Sequence, residues 1–131
     1  MTRRYGIDTS VLVRLLTGQP PETYAYCEEK LTTLVGSGAQ VCASNQVIGE
    51  AYVAVQHHYD VSADEAASGL LDVLQSGLVA PQGGIQVIAA LQDSGGPGLF
   101  DRLIADDYSR AGLETLTLDR KMATLPEVTR L

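Results

Sequence analysis

Four carboxylates in this chain stand where a carboxylate can do chemistry: Asp8, Glu50, Asp101 and Asp119. Asp8 ends the short apolar stretch RYGID and precedes Thr9, Ser10 and an apolar helical pattern. Asp119 follows the strand-like TLTL at 115–118, and Asp101 falls in the first turn of the helix expected after Gly95-Gly96-Pro97-Gly98. Glu50 falls in the second turn of a helix expected to open at Ser44 or Asn45, at the rim of that helix's apolar stripe. In parallel α/β sheets, ligands bind beyond the carboxyl ends of the strands, and these four positions are expected to open on one such edge. Four acids in one pocket repel and raise one another's pKa unless a cation lies among them. Oxygen donors with no Cys and no well-placed His suit Mg2+ or Mn2+. Such an ion polarises a phosphoryl oxygen and activates water, which is the chemistry of phosphodiester hydrolysis. Each acid alone also has an ordinary role: Asp8 and Asp101 as helix caps, Asp119 as a turn residue, Glu50 as a solvated helix acid. Singly those roles are the better reading; the matching locations favour a shared site.

The elements that must position these acids can be read from periodicity and breakers. Residues 4–7 read as a short buried strand and residues 9–17 as a helix with Leu12, Leu15 and Leu16 on one face, broken by Gly18 and Pro20-Pro21. A second helix is expected over about 21–35, with Pro in its first turn, and a strand at 40–43. The stripe Val47, Ile48, Ala51, Tyr52 and Val55 predicts a helix over about 46–59, and Ser62-Ala63-Asp64-Glu65 is a capping box opening another. A short strand at 78–80, helices at 85–91 and 99–111, a strand at 115–118 and a short helix at 120–125 complete the pattern. Strands separated by helices imply βαβ units and a parallel sheet, so the class is α/β.

The 131 residues fit one domain, spanning 1–131, with 45% hydrophobic residues and room for a single core. No apolar run approaches membrane length, and the basic start MTRRYGID runs into too short an apolar patch for a signal peptide. Cys27 and Cys42 form no metal-binding motif and read as reduced thiols of a cytoplasmic protein. The net charge of −7 repels a polyanion overall, so nucleic-acid binding would need a local basic rim or a metal.

The segments GIDTSVLVRLL, NQVIGEAYVAV and FDRLIADDYSRAGLETLTLDRKMATLPEV, in this order and spacing, resemble the PIN-domain proteins, and within them the VapC-type toxin ribonucleases of type II toxin–antitoxin systems. The resemblance covers nearly the whole chain and is least distinctive from about 61 to 98. It implies a three-layer α/β/α sandwich with a central, mainly parallel sheet, and Mg2+- or Mn2+-dependent cleavage of RNA. It also implies a homodimer and inhibition by a small antitoxin protein. The family's acidic site falls on Asp8, Glu50, Asp101 and Asp119, its supporting polar position on Ser10, and the Thr of its T-x-D strand end on Thr117. Two departures stand out. Gly98 occupies a position where many relatives carry a further acid. Asp107 falls near the middle of the stripe Phe100, Leu103, Ile104 and Ala111, where burial would demand a partner, so the helix is expected to be rotated or locally exposed there.

Arg14, Arg102, Arg120 and Lys121 lie close in sequence to the acids and could grip phosphate, or serve equally as solvated charges or carboxylate partners. His57 and His58 occupy adjacent helix positions that share no face, which argues against a catalytic pair. A haloacid-dehalogenase-like phosphatase would need an Asp where Ser10 stands, and a receiver domain would need a phosphoacceptor Asp where Ser44 and Asn45 follow a strand. The remaining alternative is a non-catalytic PIN-like module that binds RNA or a protein partner.

Overall fold

A computed structural model describes residues 2–93 and 95–131. Its elements run β1 (Arg4–Gly6), α1 (Thr9–Thr17), α2 (Pro21–Gly36), β2 (Gln40–Ala43), α3 (Asn45–His58), α4 (Ala63–Leu74), β3 (Ala80–Pro81), α5 (Ile85–Gln92), α6 (Leu99–Arg110), β4 (Thr115–Thr117), a 3-10 turn (Met122–Thr124) and β5 (Val128–Arg130). The chain is mixed α/β with short parallel strands. Among the described residues no helix is long and apolar enough to cross a membrane.

Local chemistry sets the helix ends. Asp8 caps α1 through the Val11 N–H, and Gly18 closes it at φ 66°, a left-handed conformation that glycine adopts without steric cost. Pro21 opens α2, where its missing N–H costs nothing. The Ser44 hydroxyl accepts from Val47 N–H at the start of α3, and Ser62 with Glu65 forms the expected capping box on α4. Leu12, Ile48, Leu70 and Leu103 are fully buried at the centre of one apolar cluster drawn from α1, α3, α4 and α6. Burying a side chain of this size contributes about 1.5–3 kcal/mol.

β1, β2 and β3 form a parallel sheet in that order, with Tyr5 opposite Val41 and Cys42 opposite Ala80. β4 and β5 form a separate parallel pair, with Thr115 opposite Val128. Three features differ from the expected pattern. All of β1 is exposed rather than buried, because no strand lies along its outer edge among the described residues. β5, not anticipated, follows the positive φ of Glu127. The expected helix at 120–125 shrinks to one 3-10 turn. The C-terminal unit has its own small apolar cluster, in which Met122, Val128 and Leu125 pack on Ala105 of α6.

Candidate functional site

Asp8 sits where β1 hands over to α1. Its carboxylate accepts from the Ser10 hydroxyl at 2.5 Å and from Val11 N–H at 3.3 Å, and it is exposed at the mouth of a cleft. The Ser10 hydroxyl, helped by the Val11 amide, holds this carboxyl below the usual carboxylate range. The intervening residue, Thr9, reaches the other way: its hydroxyl donates to Glu50 Oε2 at 2.8 Å. Gln46, one turn earlier on α3, donates to Glu50 Oε1 at 3.1 Å, so both carboxylate oxygens are oriented. The hydroxyls of Thr9 and Ser10 thus tie the acids of α1 and α3 to one corner. Sequence reasoning assigned Ser10 a supporting role and missed Thr9, whose signal was its position between two candidate acids at a helix start.

Asp101 lies half-buried in the first turn of α6, directly after Phe100. The Phe100 ring lies over Gly49, the residue before Glu50. A Cβ on Gly49 would stand 2.8 Å from the ring's Cζ, so only glycine admits this approach without the ring shifting. The first turn of α6 therefore abuts the turn of α3 that carries Glu50. Farther along, Asn45 clamps the two helices: its Nδ2 donates to the Leu103 carbonyl at 3.0 Å and to Asp106 Oδ2 at 2.8 Å. Arg110 Nε donates to the same Asp106 oxygen at 2.9 Å, and its Nη2 to Asp107 at 2.7 Å. Asp107 is exposed and ion-paired, while its neighbour Asp106, at 15% side-chain exposure, is the inward acid. The helix is rotated from the expected stripe: Leu99, Leu103 and Ala105 face inward, and Phe100, Ile104 and Tyr108 are exposed. Asn45 and Asp106 were invisible as a pair in sequence, 61 residues apart.

Asp119 follows β4 on the separate C-terminal pair. It caps the 3-10 turn by accepting from Met122 N–H at 2.9 Å, and its own N–H donates to the Thr117 hydroxyl at 3.0 Å. Thr117 thus contacts the Asp119 backbone rather than its carboxylate. Among the described residues, no group of three or more His, Cys, Asp or Glu side chains stands close enough to hold a metal ion. The positions of Asp8, Glu50 and Asp101 are linked through α1, α3 and α6; Asp119 belongs to the other sheet.

The basic candidates divide. Arg102 is tied into the glycine-rich loop: it donates to the carbonyls of Pro97 at 3.0 Å and Gly95 at 2.7 Å and pairs with Asp93 at 3.0 Å. Arg14 donates to the Gln19 carbonyl at 3.0 Å and the Tyr59 hydroxyl at 3.2 Å. Both hold structure together in this arrangement. Arg120 and Lys121 are exposed beside Asp119. His57 and His58 lie exposed in the last turn of α3.

Comparison with protein families, with curated proteins and with solved structures found no match for this chain.

Proposed function

We propose that the chain is a divalent-metal-dependent endoribonuclease of the PIN type, the toxin of a toxin–antitoxin pair, hydrolysing RNA phosphodiester bonds. The observation that carries this reading is the Thr9 bridge, which couples Glu50 to the turn capped by Asp8. The Phe100–Gly49 contact supports it by bringing the Asp101 turn alongside. The donor set suits the ion. Mg2+ keeps several waters and binds through one or two carboxylates plus substrate phosphate, and the exposed Asp8 and Glu50 offer such a pair, in oxygen alone.

When bound, Mg2+ or Mn2+ would polarise the scissile phosphoryl oxygen and lower the pKa of attacking water. Asp8, Glu50 and Asp101 would hold the ion directly or through water, no three of them standing close enough to ligate it together in this arrangement, and Asp119 would complete the site or orient the water. Ser10 and Thr9 position the two first carboxylates by hydrogen bonds, and Thr117 positions Asp119. Arg120 and Lys121 remain candidates for holding phosphate. Arg14 and Arg102 would contribute only by leaving the bonds they now make.

The finer architecture belongs to the same reading: a three-layer α/β/α sandwich whose central sheet includes β4 and β5. So do a homodimer, an antitoxin partner and a cytoplasmic setting. Expression of the chain in a bacterial host should arrest growth and cleave RNA, while Asp8→Asn, which keeps size and removes charge, should do neither. Equal arrest by both forms would sink the assignment. A folded chain that binds RNA without cutting it would instead favour the non-catalytic module.

A further inference from the structure

β5, which no sequence pattern announced, brings a further cation beside Asp119. It pairs parallel with β4, Thr115 opposite Val128 and Thr117 opposite Arg130. Residues paired across a ladder share a face, and so do residues two apart on one strand. Thr115 and Val128 are buried, Val128 against Ala105 of α6. Thr117 and Arg130 continue that face past the end of the apolar cluster, where Arg130 is exposed. Both strands end at these two residues, on the carboxyl edge where parallel sheets bind ligands. The Thr117 hydroxyl accepts from Asp119 N–H at 3.0 Å, and Asp119 caps the turn carrying Arg120 and Lys121 by accepting from Met122 N–H at 2.9 Å. Arg130 thus stands one strand, about 4.8 Å, from the residue that holds Asp119, and Arg120 and Lys121 follow Asp119 directly.

These three cations are left without a carboxylate. Among the described residues, ion pairs are made by Arg102 and Arg110 alone. Arg14 is engaged by the Gln19 carbonyl and the Tyr59 hydroxyl, and Lys30 lies over the Tyr26 ring. The other acids of the C-terminal unit are held elsewhere: Glu127 accepts from the Ser109 hydroxyl at 2.6 Å, and Glu114 from the Thr129 hydroxyl at 3.0 Å. Residues 113–131 carry three acids, Glu114, Asp119 and Glu127, against the three bases, so the whole charge of −7 lies in residues 1–112. A polyanion is repelled by the body of this chain and meets its least repulsive surface beside Asp119.

We propose that Arg130, together with Arg120 and Lys121, binds the phosphate backbone of RNA at the Asp119 turn, so that the C-terminal unit is where this acidic chain grips its substrate. The planar guanidinium presents a fork of donors that matches two phosphate oxygens. Such a contact fixes the strand's position and reads no base. Arg130 is a substrate-binding residue that lies outside the acidic set. The choice of RNA as ligand rests on the ribonuclease reading; the grip on phosphate is read by binding alone.

The test measures fluorescence anisotropy of short single-stranded RNAs of unrelated sequence with the Asp8→Asn chain in chelator, across a series of salt concentrations. Arg130→Gln should weaken every RNA alike and lower the slope of log affinity against log salt by about 0.7, and Arg120→Gln/Lys121→Gln/Arg130→Gln should lower it by about 2. Arg130→Lys, which keeps the charge, should restore most of the slope. Lys30→Gln, on α2, should leave it unchanged, and circular dichroism should be the same for all. A slope indifferent to Arg130→Gln, or a loss confined to one RNA sequence, would overturn the proposal. Metal-dependent cleavage by a chain with such an indifferent slope would overturn it and leave the ribonuclease reading in place. A chain that loses the contact in Arg130→Gln yet cuts no RNA would do the reverse.

Discussion

Asn45→Ala probes the clamp that holds α6, and with it Asp101, against the helix that carries Glu50. Asn45 is 3% exposed and donates two bonds, at 3.0 Å to the Leu103 carbonyl and at 2.8 Å to Asp106. The first is a neutral bond worth about 1 kcal/mol and the second is charge-assisted, worth about 2 kcal/mol. Asp106 keeps Arg110 at 2.9 Å, so the substitution does not strand a bare buried charge. Asn45 Oδ1 is itself buried without a partner among the described residues, and removing it returns part of the loss. The net cost is about 2–3 kcal/mol, or a fall in melting temperature of about 10 °C for a chain of this size. Equilibrium urea unfolding measures it directly. Asp106→Ala in the same background should then cost less than it does in the wild type, because the shared bond is already gone. A loss below about 0.5 kcal/mol, inside the scatter of ordinary surface substitutions, would refute the view that this amide joins the two helices.

Two further outcomes follow from the same contacts. Asp8 is held ionised by the Ser10 hydroxyl first and the Val11 amide second, so its folded pKa lies below its unfolded one. Its small contribution to stability is present above the unfolded value and lost as pH falls through the folded value. Ser10→Ala should move the Asp8 titration followed by carboxyl NMR upward, and an unmoved titration would show that the hydroxyl is not its partner. Arg102→Ala should raise amide hydrogen exchange across residues 95–98, because it removes the bonds to the Gly95 and Pro97 carbonyls and to Asp93; unchanged protection would deny it that role.

Much of the helical framework was legible because it is written locally. The α1 boundaries, the Pro at the start of α2, the α3 cap (narrowed in the sequence to Ser44 or Asn45) and the Ser62–Glu65 box each depend on residues within one turn of each other. The strand at Gln40–Ala43 was legible for the same reason. What stayed hidden is tertiary. Nothing near Tyr5 says that the edge of β1 will be open, and three residues after Glu127 are too few to announce β5. The rotation of α6 was foreseeable only as a conflict at Asp107; which acid turned inward depended on Asn45, far away in the chain. The site shows the same division. Asp8 and Glu50 were singled out by position, but the Thr9 hydroxyl that joins them depends on how α1 lies against α3. Arg102 stood open in the sequence between phosphate contact, solvated charge and carboxylate partner, because its carbonyl acceptors are backbone atoms that no sequence pattern displays.

The most direct measurement is cleavage of a labelled RNA by the purified, metal-stripped chain, with and without added Mg2+ or Mn2+, beside Asp8→Asn and Glu50→Gln. The account predicts cleavage by the wild type only with added ion, and at least a hundredfold loss, on the order expected for removing a charge that acts on the reacting centre, in both variants. Cleavage that persists in chelator, or that survives either substitution undiminished, would contradict it.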